Sequence, residues 1–170
     1  MITYESKIEI HNLNQISYQE ELESLNINAI KCSCGHCDCV IHGYYKRFYK
    51  FKEFLVKLRI LRVKCKACNC THAIIPSSLV PYSRIPLETQ INIINTNNAD
   101  TILNDEPLLD YCDFYRVKNN YLNYFKKRIL AMPLDLAKDI VKNFSYLFSQ
   151  PFLTVTRLRK CNYKYYETTT

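Results

Sequence analysis

Cys32-Ser33-Cys34-Gly35-His36-Cys37-Asp38-Cys39 and, a hairpin's length later, Cys65-Lys66-Ala67-Cys68-Asn69-Cys70-Thr71-His72 are the two stretches on which the fold turns. Each holds a C-x-x-C pair, Cys34/Cys37 and Cys65/Cys68. One such turn brings two thiolates to one side of an ion and a second closes the tetrahedron, so the pattern is that of a four-cysteine zinc site. Equal spacing on both sides selects Cys34, Cys37, Cys65 and Cys68 as ligands and Zn as the cofactor. Cys32/Cys34 and Cys37/Cys39 are C-x-C pairs, which are rarer in ribbons, and Cys32, Cys39, Cys70 and His72 form an alternative set for a second metal. His36, His42 and His72 read as groups beside the site or on the surface, and Cys112 and Cys161 as small buried side chains. Four thiolates leave no position for water or substrate, so the site stabilises the fold and hydrolyses nothing.

Between the knuckles the pattern is that of strands. Residues 44–51, Tyr-Tyr-Lys-Arg-Phe-Tyr-Lys-Phe, are rich in aromatic residues that favour strands. Phe54, Val56, Leu58 and Ile60 alternate with Leu55, Lys57 and Arg59; Leu61, Val63 and Cys65 then continue in the opposite phase. That one-residue slip predicts a bulge at Ile60-Leu61, and Lys52-Glu53 the turn between the two strands. A third strand over 73–75 completes a small antiparallel sheet with a metal at one end, a zinc ribbon.

The rest of the chain is organised around this ribbon. Residues 1–30 form an acidic N-terminal arm, with a short helix over 18–25 directing Leu22 and Leu25 inward and a strand over 27–30. Residues 31–76 are the ribbon, and 77–86, punctuated by Pro81 and Pro86, a linker or strap. Residues 87–150 turn helical. Leu87, Ile91 and Ile94 share one face, a short acidic helix runs over 99–111 with Pro107 interrupting, and Asp113 caps a helix over 114–131. Phe114, Val117, Tyr121, Leu122, Phe125 and Ile129 make its buried stripe. Helix, short helix, long polar-faced helix is the outline of a helix-turn-helix. Another amphipathic helix is expected over 134–149, and a basic strand or tail over 151–170. The fold class is α+β.

The chain carries a net charge of +7 in blocks: −4 over residues 1–30, +9 over 31–84, −6 over 85–113, +5 over 114–132, neutral over 133–149 and +3 over 150–170. Two separated basic surfaces point to an extended polyanion. Two Gly and no Trp argue against a Gly-rich nucleotide-binding enzyme. The sequence has no signal-peptide-like start and no apolar run of membrane-spanning length, so a cytoplasmic, nucleoid-associated location with reduced thiols is expected.

Cys34-x-x-Cys37, then His42-Gly43-Tyr44-Tyr45-x-Arg47, then Leu58-Arg59-x-x-Arg62-Val63-Lys64-Cys65-x-x-Cys68 resemble the N-terminal zinc ribbon and helix-turn-helix region of bacterial insertion-sequence transposases. The continuation Thr71-His72-Ala73-x-x-Pro76-Ser77-x-Leu79-Val80-Pro81-Tyr82-Ser83 is more similar still to a small uncharacterised bacterial zinc-ribbon family, a domain of unknown function. The resemblance covers residues 32–86 well and the helices loosely. It implies binding to a transposon end, with DNA cleavage left to a separate acidic-triad domain. Asp100, Asp105, Glu106, Asp110 and Asp113 lie too close together to form such a triad, and two-metal chemistry needs carboxylates converging from separate elements.

The expectation is therefore a zinc-dependent, non-catalytic protein that binds double-stranded DNA, transposase-derived or transposon-associated, with a recombinase or transcription protein as a further partner. Lys46, Arg47, Lys50, Lys57, Arg59, Arg62 and Lys64 would meet phosphates. Arg116, Asn119, Asn120, Asn123 and Lys127 would lie near base edges, where Asn and Arg make paired hydrogen bonds. Tyr44, Tyr45 and Tyr49 stack on bases or pack the sheet, with packing expected for at least two of them. The alternative is a protein-interaction or RNA-binding module, the latter favoured if the aromatic strand stacks single-stranded bases.

Overall fold

The hairpin between the cysteine clusters is the longest regular piece of the chain. Strand β2, Cys39–Phe51, pairs antiparallel with β3, Phe54–Cys65, through the two-residue turn Lys52-Glu53, with Phe51 opposite Phe54. The computed structural model describes residues 1–130 together with Phe144, Phe152 and Leu153. Lys52 takes a positive φ of 40°, the left-handed backbone that tight hairpin turns require. Strand β4, Thr71–Pro76, pairs antiparallel with β3, and β1, Ile2–Tyr4, pairs parallel with β4, giving the order β1-β4-β3-β2. The sheet is thus mixed, and its parallel edge comes from the N-terminal arm. The structure is an α+β fold with this sheet in the N-terminal half and helices in the C-terminal half.

The bulge lies on the partner of the expected strand. Register shifts between Ile41 and Gly43, so His42 is the extra residue, and Gly43 absorbs the distortion at φ +140°. Ile60 and Leu61 are buried in succession because both faces of β3 are covered there. Arg59 and Leu61 also give their backbone N–H groups to side chains of α1, Gln15–Ser24.

Asn14 caps α1, its side chain accepting from Ile16 and Ser17 while the Ser17 hydroxyl accepts from the Asn14 N–H. The helix therefore starts earlier than the apolar residues suggest and buries Tyr18 with Leu22. Residues 27–29 form a single 3₁₀ turn where a strand was expected. Tyr18 is the tie between helix and sheet. Its hydroxyl donates to the Ile74 carbonyl at 2.8 Å and accepts from the Leu61 N–H at 3.1 Å, with no exposed surface. Tyr18→Phe strands two buried backbone groups and is expected to cost about 1–3 kcal/mol, read by urea denaturation.

Residues 77–86, read as a linker or strap, pack along the edge of β2. Leu79, Val80 and Ile85 are buried, the Lys50 N–H donates to the Arg84 carbonyl at 2.8 Å, and the Arg47 guanidinium donates to the Ser83 carbonyl at 2.7 Å. Beyond this strap come α2 (Leu87–Asn95), α3 (Ala99–Asp105) and α4 (Tyr111–Asn120). Ile85, Ile93, Ile102, Leu109, Phe114 and Val117 form their shared core. Asp110 caps α4 by accepting the Asp113 N–H at 2.7 Å, so Asp113 is a buried residue of the first turn and not the cap.

After Asn120 the helix widens into a π segment over 121–125 and resumes as α5, Lys126–Leu130. The extra residue rotates the apolar stripe, leaving Leu122 exposed while Phe125 is fully buried beside Val80, Phe144 and Phe152. Cys112, expected in the interior, is exposed. The helix expected over 134–149, and the basic strand or tail over 151–170 with Cys161, fall outside the described residues, apart from Phe144, Phe152 and Leu153. No helix among the described residues is long and apolar enough to cross a membrane.

Candidate metal centre and the basic hairpin face

Two turns of similar build bring the thiols together. In the first, the Gly35 N–H donates to the Cys32 carbonyl, and Gly35 follows Cys34 with φ +91°. In the second, the Asn69 N–H donates to the Cys65 carbonyl, and Asn69 follows Cys68 with φ +59°. Each left-handed residue turns the next amide back: the His36 N–H addresses the Cys34 sulfur and the Cys70 N–H the Cys68 sulfur. Such N–H groups stabilise thiolates that would otherwise be poorly solvated.

The converging sulfurs are those of Cys32, Cys34, Cys65 and Cys68, all within 4.8 Å of one another. Cys32 and Cys68 stand 3.5 Å apart, Cys34 and Cys65 3.7 Å. A tetrahedral site with metal–sulfur bonds of about 2.3 Å has sulfur–sulfur edges of about 3.8 Å, so the cluster fits a thiophilic ion. The separations are too long for a disulfide. The thiol that converges with Cys34, Cys65 and Cys68 is that of Cys32, where Cys37 was expected. The chain reverses within residues 32–36, closed by the Cys32 N–H donating to the His36 carbonyl, and Cys37 then pairs with Lys31 on the exposed side of the loop. A sequence signal existed. A residue suited to positive φ follows both Cys34 (Gly35) and Cys68 (Asn69), a likeness between the two turns that is visible in the sequence but leaves the partner of Cys34 open.

The cluster's surroundings are asymmetric. Cys32 is buried, and the Cys34 backbone N–H, the largest influence, with the Cys68 and His72 side chains holds its thiol down to about 5 against the opposing effect of burial. His72, itself buried, places Nε2 at 3.1 Å from the Cys32 sulfur. This is a position beside the ligands, as expected, fixing the inner sulfur. Cys34 and Cys68 are pushed the other way: the amides of His36 and Cys70 lower them, but neighbouring thiols and burial outweigh that effect. Cys39 is buried with its thiol raised chiefly by desolvation, and its sulfur lies against the Ile30 carbonyl. Cys70 is exposed, and no second group of metal-ligating side chains converges among the described residues.

From this anchored end the hairpin projects two different faces, because cross-strand partners share a side of the sheet. Tyr45, Arg47 and Tyr49 lie with Val56, Leu58 and Ile60 on the inner face, where Tyr49, Leu58 and Ile60 are fully buried. The opposite face sets Lys46 against Arg59 and Phe48 against Lys57, with Tyr44 beside Leu61. There Tyr44 is 47% exposed and Phe48 38%. Each ring is covered on one side by a cation, the Arg59 guanidinium 5.3 Å from the Tyr44 centroid and the Lys57 ammonium 5.8 Å from that of Phe48. Lys46 and Arg59 are like charges in direct opposition, an arrangement that costs stability in a free sheet. No acid pairs with Lys46, Lys57 or Arg59 among the described residues.

The remaining cations selected from the sequence are differently engaged. Arg47 faces inward, over the Tyr49 ring and onto the strap carbonyls. Lys50 reaches Asp113 at 2.5 Å, and Asp113 also binds Arg116. Arg62 donates to Thr71 at 3.0 Å, and Lys64 is half-buried opposite Val40. On the helices Asn119, Asn123 and Lys127 are exposed and Asn120 half-buried. The structure thus gathers Lys46, Lys57 and Arg59 into one surface and diverts Arg47 and Lys50 into internal contacts, while Arg116 pairs with Asp113 and stays exposed. Phe48 belongs to that surface and carried no signal beyond its strand alternation.

Residues 32–111, spanning the ribbon, the strap, α2 and α3, match a family described as Domain of unknown function (DUF6431). No curated protein and no solved structure matches the chain. The family match agrees with the resemblance of the ribbon to a domain of unknown function and carries no link to transposases.

Proposed function

We propose that this chain is a zinc-stabilised nucleic-acid-binding protein that catalyses no reaction itself, with DNA as the partner its ribbon resemblance favours. The observation that carries the proposal is the opposed Lys46–Arg59 pair with Lys57 on an exposed sheet face, none of the three paired with an acid among the described residues. Two like charges held against each other are relieved when a polyanion lies across them. Zinc fits the four-thiolate donor set, and its part is to cross-link the two ends of the hairpin. The exposed Asn119, Asn123 and Lys127 extend the reading to α4 and α5 as a second contact, the helix-turn-helix role suggested by the transposase resemblance.

Salt tests the reading directly. Three phosphate contacts give a logarithmic slope of about −2.7, a loss of about fortyfold between 50 and 200 mM salt. Lys46→Ala, Lys57→Ala and Arg59→Ala should each lower that slope by about one, measured by fluorescence anisotropy on labelled oligonucleotides. Binding indifferent to salt and to these substitutions would defeat the proposal. It would favour a protein-interaction module instead, for which Phe54 and Leu55 at the hairpin tip, 70% and 55% exposed, are the relevant surface.

A further inference from the structure

The basic face ends in a cleft, and its lining is specific. Gln15 and Gln19 of α1 face Tyr44 and Arg59 of the hairpin across a space of about 230 Å³. Gln15 is held in place because its Oε1 accepts the Arg59 backbone N–H at 2.6 Å, leaving the amide nitrogen with no partner among the described residues. Gln19 is exposed. One wall is therefore a ring with a guanidinium over it; the other is a pair of primary amides. Four residues further along β2, about 13 Å at strand rise, stands the second exposed ring, Phe48, with Lys57 beside it.

We propose that this cleft receives an unpaired nucleobase and that the face binds single-stranded nucleic acid in preference to duplex. The inference rests on the nucleic-acid reading above and names the form of the partner. Rings lying along a sheet stack on bases only when those bases are out of a helix; within a duplex the bases stack on one another and present phosphates alone to such a surface. A base inserted against Tyr44 meets the Gln15 and Gln19 amides at its edge, where an amide offers paired hydrogen bonds. Its phosphates fall beside Arg59 and Lys46, and a following base reaches Phe48 over Lys57. Both exposed rings and the three cations that no acid pairs have a role in this arrangement. Bound to duplex, Tyr44 and Phe48 have none.

The test is anisotropy titration of the full-length, zinc-loaded protein with one labelled 12-mer as single-stranded DNA, as the matching RNA and as the DNA duplex. Single strands should bind at least tenfold more tightly than duplex, and the DNA and RNA arms decide whether the 2′-hydroxyl matters. Tyr44→Ala and Phe48→Ala should each weaken single-strand binding by about 5- to 150-fold, the range of a lost base stack, a larger loss than either causes in duplex binding. Tyr44→Phe should bind single strands like the parent. Both aromatic positions are exposed, and circular dichroism with zinc content shows that each variant is folded. Equal or tighter duplex binding, or aromatic variants without effect while Lys46→Ala and Lys57→Ala weaken both forms, would overturn the stacking proposal and leave the basic-face reading standing. Failure of any nucleic acid to bind with salt dependence would overturn both.

Discussion

Cys32→Ser is expected to abolish metal binding and melt the ribbon, whereas Cys37→Ser leaves both intact. The two cysteines are five residues apart, and spacing alone favours Cys37. Cys32 is buried, lies 3.5 Å from the Cys68 sulfur and is contacted by His72; Cys37 is exposed and outside the cluster. Apparent binding energies of structural zinc sites are about 10–16 kcal/mol, larger than the whole stability of a small sheet, so losing one inner ligand unfolds the region the ion joins. Metal content by mass spectrometry and circular dichroism with and without chelator read the result. A Cys37→Ser protein that loses its metal, with Cys32→Ser retaining it, would refute the ligand assignment.

Asp113→Ala should be the most damaging substitution outside the metal centre. Its side chain is 7% exposed and receives both the Lys50 ammonium and the Arg116 guanidinium. Removing the carboxylate leaves the Lys50 ammonium, 22% exposed, without its anion. Breaking a buried pair from one side costs about 3–5 kcal/mol, whereas replacing both partners with apolar residues of similar volume is often neutral. The double variant Lys50→Met/Asp113→Leu is therefore expected to recover most of the loss in urea denaturation. If Asp113→Ala unfolds no more easily than the parent, this pair does not hold the hairpin to the helices. The same contact alters the reading of Lys50→Ala: weakened nucleic-acid binding in that variant would report lost docking of α4 as much as a lost phosphate contact.

Much of the architecture follows from local rules that a single sequence displays. A period of two over residues 54–60, a two-residue turn after Phe51 and paired cysteines at both ends suffice for the hairpin, because strand alternation depends only on neighbours two positions apart. Helix periodicity likewise exposes α2 and α4. The parallel strand β1 escaped detection because three residues carry too little pattern, and its pairing partner Ile74 lies some seventy positions away. The π segment escaped for a related reason: a stripe drawn at 3.6 residues per turn takes in both Leu122 and Phe125, but with one inserted residue Leu122 faces solvent while Phe125 stays in the core.

By itself the sequence determined that four cysteines in two turns clamp a basic, aromatic hairpin, since C-x-x-C knuckles and alternating strands are local statements. Only the tertiary structure decided which cysteine completes the cluster and which cations remain available. A metal ligand is chosen by where a loop reverses, and Gly35 with its positive φ reverses this one so that Cys32, not Cys37, faces the second turn. A cation's availability is settled by what the fold places beside it. Asp113 and the Ser83 carbonyl occupy Lys50 and Arg47 from more than thirty residues away, while Lys46, Lys57 and Arg59 face solvent and pair with no acid among the described residues.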